Sequence, residues 1–136
     1  MAKFSCWLRG DIPSKKNGLM PRHGGGKGLC YKSEVKKAMD DLAFQLNCHR
    51  FANASFDSHS ITNAHLTLTI YPPDLRSDLD GIAATVIDAL VKAGIMRNDS
   101  MRHLKHVTLC CDPGAPCNHP GAQVHLTGEW IAKAKK

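Results

Sequence analysis

Between Leu79 and Lys92 the apolar residues Leu79, Ile82, Ala83, Val86, Leu90 and Val91 recur at the three- and four-residue spacing of one helical face. Gly94 follows where a left-handed residue closes a helix, a conformation glycine takes without steric cost. Such a stripe has to be covered, and its neighbours say by what. Upstream, residues 63–71 alternate Ala64, Leu66, Leu68 and Ile70 against His65, Thr67, Thr69 and Tyr71, the period of a half-buried strand, until Pro72-Pro73 ends it. Residues 3–9 set Phe4, Cys6 and Leu8 against Ser5, Trp7 and Arg9 in the same way. Residues 104–111 and 122–128 read as two more strands, the latter setting Val124 and Leu126 against His125 and Thr127. An earlier helix is expected over 34–47, capped by Ser33, favoured by Glu34 in its first turn, and striped by Val35, Ala38, Met39, Leu42 and Leu46. The order β-loop-α-β-α-β-β implies an α+β domain, a small mixed β-sheet with two main helices packed on it.

All 136 residues fit one domain, 1–136. Residues 13–30, with Lys15, Lys16, Asn17, Arg22, Lys27 and a run of glycines, read as a basic, mobile loop suited to closing over phosphates, or as a hairpin tip of no consequence. Residues 49–60 read as polar and irregular, and the basic tail 131–136 as frayed. The net charge of +6 favours a polyanionic partner. With 6% aromatics, a surface of stacked rings is not expected, and phosphate contacts would have to dominate. No apolar run approaches the roughly 20 residues of a membrane span, and the N-terminus lacks a signal-peptide core, so a cytoplasmic protein without membrane contact is expected. Cys110, Cys111, Cys117 and His119 form the one local cluster of zinc-type ligands, but adjacent strand residues point to opposite faces. They are read as structural thiols, with zinc as the alternative.

The chemistry concentrates in Arg76-Ser77-Asp78-Leu79-Asp80-Gly81, then Asp88, then Asn98-Asp99-Ser100. Asp78 and Asp80 project to one side just before the helix, Asp88 lies about two turns further on, and the chain after Gly94 is expected to bring Asp99 back toward the pair. Converging carboxylates repel unless a cation sits among them, and hard oxygen donors suit Mg²⁺ or Mn²⁺. The plainer reading makes Asp80 a helix cap, Asp78 a partner of the helix dipole and Asp99 a turn residue.

These segments, with the Val86-Ile87-Asp88-Ala89-Leu90 turn between them, resemble the central signature of the RusA family of Holliday junction resolvases: Arg-x-Asp-x-Asp-Asn, a helix carrying Ile/Leu-Asp-Ala-Leu, and an Asp-Asp pair. Pro13-Ser14-Lys15-Lys16-Asn17 is similar to the family's N-terminal Pro-x-x-x-Asn, so the likeness runs from about residue 8 to 107. The resemblance implies a RusA-like, dimeric crossover junction endodeoxyribonuclease, resolving four-way DNA junctions in recombination and repair by paired, Mg²⁺-dependent nicks. It implies Asp78, Asp80 and Asp99 as catalytic and metal-holding residues, Asp88 as a possible support, and Lys15, Lys16, Asn17, Arg22, Lys27 and Arg76 as DNA contacts. The departures are Gly81 for the family's Asn, Ala84 for a lysine one turn into the helix, and Asn98 for the first acid of the pair. With that lysine gone, the alternative is a catalytically impaired branched-DNA binding protein of the same fold.

Overall fold

Alternation along the strands decides which side of the sheet is covered. The computed structural model describes residues 1–13, 19–21, 29–31, 33–72, 79–112 and 120–133. Its elements are β1 (Ala2–Arg9), β2 (Leu19–Pro21), β3 (Leu29–Tyr31), α1 (Ser33–Arg50), a 3₁₀ turn (Ala54–Asp57), β4 (His59–Tyr71), α2 (Leu79–Lys92), β5 (Leu104–Cys111) and β6 (Gly121–Ala132). The sheet has the order β1-β6-β4-β5, with β4 and β5 parallel and the other neighbours antiparallel. The α+β class with a mixed sheet and two helices is therefore as expected.

One face carries the core: Phe4, Cys6 and Leu8 of β1, Val124 and Leu126 of β6, and Leu66, Leu68 and Ile70 of β4 are all buried. Onto it α1 lowers Leu42 and Leu46, and α2 lowers Ile82, Ala83, Val86, Ala89 and Leu90. Ile61 and Ala64 are both fully buried although three residues apart, an odd spacing that a regular strand sends to opposite faces. A bulge between Thr62 and His65 absorbs the extra residue, with Asn63 at φ 48° and its side-chain amide donating to Glu129 Oε2 at 2.8 Å. Asparagine takes the left-handed region more readily than most residues.

The end of α2 matches the glycine signal. The Gly94 N–H (φ 75°) donates to Val91 O at 3.0 Å and Ile95 N–H to Leu90 O at 3.1 Å, the paired bonds of a Schellman motif. Leu90 and Ile95, the hydrophobic pair that accompanies it, are both fully buried. The Arg50 guanidinium at the end of α1 donates to Ala93 O at 3.0 Å, a cation at the negative end of the helix dipole.

Within the 13–30 loop, Leu19–Pro21 pairs antiparallel with Leu29–Tyr31, the hairpin of the second reading, with the residues between them outside the described ones. Two expectations need correction. Residues 49–60 are ordered: α1 reaches Arg50, Asn53 accepts from Ser55 N–H to cap the 3₁₀ turn, Phe56 of that turn is buried, and β4 starts at His59. The apolar Phe56, anchored between Phe4 and Trp130, fixes what the polar surroundings disguised. The tail is held further than expected, since β6 pairs through Ala132 and Lys133 N–H donates to Ser58 O at 2.9 Å.

Truncating Leu90→Ala should cost about 2–5 kcal/mol, while Gly94→Ala should cost about 1–2 kcal/mol through the left-handed backbone alone. Urea unfolding followed by circular dichroism measures both, and a smaller loss for Leu90 than for Gly94 would contradict this placement of the core.

Candidate functional site

Asp80 sits in the first turn of α2, exposed, where its charge complements the helix dipole. Ala84 is exposed one turn on, between buried Ala83 and Thr85. Asp88, half-buried, lies one turn beyond, and its Oδ2 pairs with Lys92 Nζ at 3.2 Å. Asp80, Ala84, Asp88 and Lys92 therefore succeed one another at four-residue intervals on the solvent side of a helix whose other faces are packed. The Asp88–Lys92 pair, at the helix surface, adds only a few tenths of a kcal/mol. Thr85 Oγ1 donates to Pro13 O at 2.8 Å, tying this helix to the chain leaving β1.

After the Schellman motif the chain returns to β4: Met96 bridges Ile61, and Arg97 N–H donates to Ile61 O at 2.9 Å. Asn98 Oδ1 then accepts from Ser100 N–H at 2.9 Å, an Asx turn with exposed Asp99 at its tip. Ser100 O accepts from both His103 N–H and Leu104 N–H at 2.9 Å, and His103 Nδ1 lies 2.8 Å from Thr62 Oγ1. Position 98 thus spends its side-chain oxygen on the turn that presents Asp99, a task that asparagine performs as well as aspartate.

Of the expected acidic set, the structure places Asp80 at the start of α2 and Asp99 in the turn that feeds β5. Asp78, Arg76, Lys15, Lys16, Asn17, Arg22 and Lys27 lie outside the described residues. Among the described residues, no three His, Cys, Asp or Glu side chains are grouped to hold a metal. The donor chemistry of exposed Asp80 and Asp99, carboxylate oxygen only, suits a hard divalent ion such as Mg²⁺.

The cysteine reading is corrected in one respect. Cys110 and Cys111 face opposite sides of β5 as expected, but both are exposed free thiols on an edge strand. Cys117 and His119 lie outside the described residues. Among the described thiols Cys6 is the buried one, and burial pushes its pKa up to about 12.

Two functional features escaped the sequence reading. Gln45, buried on α1, accepts from Arg9 N–H at 2.9 Å and donates to Arg9 O at 3.0 Å and Asp41 Oδ2 at 2.8 Å, which fixes the end of β1. The other is the open face of the sheet, where cross-strand register brings side chains from four strands into rows. Each strand's polar parity was legible, but their alignment depends on strand order, which no single segment carries.

No family model matches the chain, and no curated protein matches it.

Iodoacetamide at pH 8 should label Cys48, Cys110 and Cys111 in the folded protein and leave Cys6 unmodified until denaturant is added. Peptide mass mapping reads the pattern, and early labelling of Cys6 would contradict its burial.

Proposed function

We propose that the chain is a metal-dependent, structure-selective endodeoxyribonuclease, RusA-like and homodimeric, that cuts four-way DNA junctions. The observation that carries this reading is the spacing Asp78-x-Asp80…Asp99, in which the two described acids are both exposed, Asp80 in the first turn of one packed helix and Asp99 at the tip of the Asx turn that follows it. Solvent-facing carboxylates in a chain of net charge +6 are suited to holding a cation against a phosphate rather than to building a core.

In this reading Asp78, Asp80 and Asp99 offer carboxylate oxygens to Mg²⁺, with Mn²⁺ as a substitute. When bound, such an ion supplies an activated water and neutralises charge on the phosphodiester. Arg76, two residues before the first acid, is placed in sequence to meet the phosphate being cut. Lys15, Lys16, Asn17, Arg22 and Lys27, around the β2–β3 hairpin, hold the DNA arms through their backbone phosphates. Two such domains are needed because one site makes one nick.

A second reading, a junction binder with impaired catalysis, is favoured by position 84. A lysine there would stand one helical turn from Asp80 and one from Asp88, ready to meet the phosphate between them. The chain has Ala84, and Asp88 turns to Lys92 instead.

Incubation with a synthetic four-way junction distinguishes the two. The native protein should nick the junction with Mg²⁺ and not with EDTA. Asp80→Asn or Asp99→Asn should lower the rate on the order of a hundredfold or more while junction binding persists. Near-native cleavage by both variants would refute the acidic assignment. Ala84→Lys, at an exposed helical position tolerant of lysine, should fold normally and cleave faster than the native chain. Binding with no Mg²⁺-dependent nick from native protein or from Ala84→Lys would leave the binding reading.

A further inference from the structure

Both helices cover one face of the sheet, and the residues of opposite parity form a second surface. The register aligns them in rows across the strands: Lys3, Thr127, His65 and His106; then Ser5, His125, Thr67 and Thr108; then Trp7, Gln123, Thr69 and Cys110. At the end stand Arg9, Gly121 and Tyr71. Lys3, Ser5, Arg9, His65, Thr67, His106, Thr108 and His125 are exposed.

Three features of this face point to one class of partner. Its cations, Lys3 and Arg9, both stand on β1 at one edge of the face, whereas the acids lie away from that edge: Asp112 follows β5 beside Tyr71 in the end row, and Glu129 continues β6 past Thr127, where it accepts from Asn63. Hydroxyl and imidazole groups fill the middle, with Ser5 Oγ 2.6 Å from His125 Nδ1 and the His106 Nε2 3.2 Å from Thr108 Oγ1. Planar groups flank them. His65 and His106 stack with centroids 5.6 Å apart and planes at 24°, and Trp7 meets Tyr71 at 5.4 Å.

The Trp7–Tyr71 pair depends on a missing side chain. Trp7 is on β1 and Tyr71 on β4, with β6 between them. Gly121 of β6 leaves the space, since a Cβ there would collide with the Trp7 ring and the Leu8 carbonyl. Beside Trp7 the surface dips into a depression of about 280 Å³ shared by Arg9 and Phe44, and Phe44 is 64% exposed. A second depression next to it includes Asp41, whose Oδ2 is turned to Gln45.

We propose that this open face of the sheet binds an unpaired nucleic-acid strand, its phosphates meeting Arg9 and Lys3 and its bases stacking on Trp7, Tyr71 and the histidine pair. Ring faces accept any base, and they can be reached only when the base is unpaired, so the surface selects single strands over duplex. Hydroxyl and imidazole groups supply hydrogen bonds to sugar and base edges. A second copy is a poorer occupant: a two-fold interface sets the same patch against itself, opposing cations to cations with no large aliphatic residue to bury. The inference stands apart from the nuclease reading, since it uses none of the acids and needs no divalent ion.

The test is fluorescence anisotropy of labelled dT12 in EDTA, with the blunt duplex of the same length as competitor. Lys3→Gln/Arg9→Gln should weaken binding of dT12 and flatten its log–log salt slope by about 1.4, at roughly 0.7 per contact on a single strand. Lys36→Gln/Lys37→Gln, equal in charge removed but on exposed positions of α1, should leave both nearly unchanged. Tryptophan emission should be quenched by unlabelled dT12, and Trp7→Leu should abolish the quenching and weaken binding on the order of fivefold or more. Equal losses from the two charge pairs, competition by duplex as effective as by dT12, or a dimer whose dissociation is required for dT12 binding would each overturn the proposal. If Trp7→Leu fails to fold, the comparison of the two charge pairs still decides the outcome.

Discussion

The parallel pairing of β4 with β5 is the constraint on which the rest of the molecule depends. Two parallel neighbours cannot be joined by a hairpin; the chain must leave one end of β4, cross a face of the sheet and re-enter at the other. α2 is that crossing, and its apolar stripe commits one face of the sheet to the interior. α1 joins it on the same face, leaning Leu42 and Leu46 onto the strands beside it. Most polar residues of β1, β4 and β6 are thereby left on the far side, Ser60 being a buried exception that donates to Gly94 O. The same crossing puts Asp80 at the exposed start of α2 and Asp99 on the exposed connection that leaves it.

What could be read in the sequence follows from the range of each signal. The α2 stripe, its terminal glycine and the alternation of β1, β4 and β6 are local patterns, and the structure reproduces them. The segment 49–60 misled because its stabilisation is not local: Phe56 is one apolar residue among polar ones, and its partners Phe4 and Trp130 lie far away in the chain. The bulge at Asn63 was likewise invisible, since its register shows only against β6. For the acids, the pattern locates Asp80 and Asp99 on exposed turns but cannot measure the space between them. Asn98 in place of an acid is physically mild, because the Asx turn needs only an acceptor oxygen.

Position 84 is a different case. On the exposed stripe of α2, a cation at 84 would have carboxylates one turn away on both sides, and those neighbours would hold it charged and in place. Alanine leaves the backbone undisturbed and removes only that charge. Asp88 remains neutralised because Lys92 stands four residues C-terminal to it, the favourable order for such a pair. A cation at 84 would therefore change the helix by no more than several tenths of a kcal/mol, so its absence concerns the surface that Asp80 faces more than the fold.

The two surfaces obey opposite electrostatic logic, and this separates their roles. Near α2 the described acids are exposed, and approach of a phosphate is opposed until a divalent ion offsets them. Along the β1 edge of the open sheet face the fixed charges, Lys3 and Arg9, are positive and no ion is needed for an anion to approach. Aromatics make up only 6% of the chain, which argued from composition alone against a stacking surface. Position overrides that argument, because Gly121 lets Trp7 reach across a whole strand to Tyr71, and Phe44 borders the same depression. A small number of rings is enough when register and a single absent side chain gather them beside one arginine.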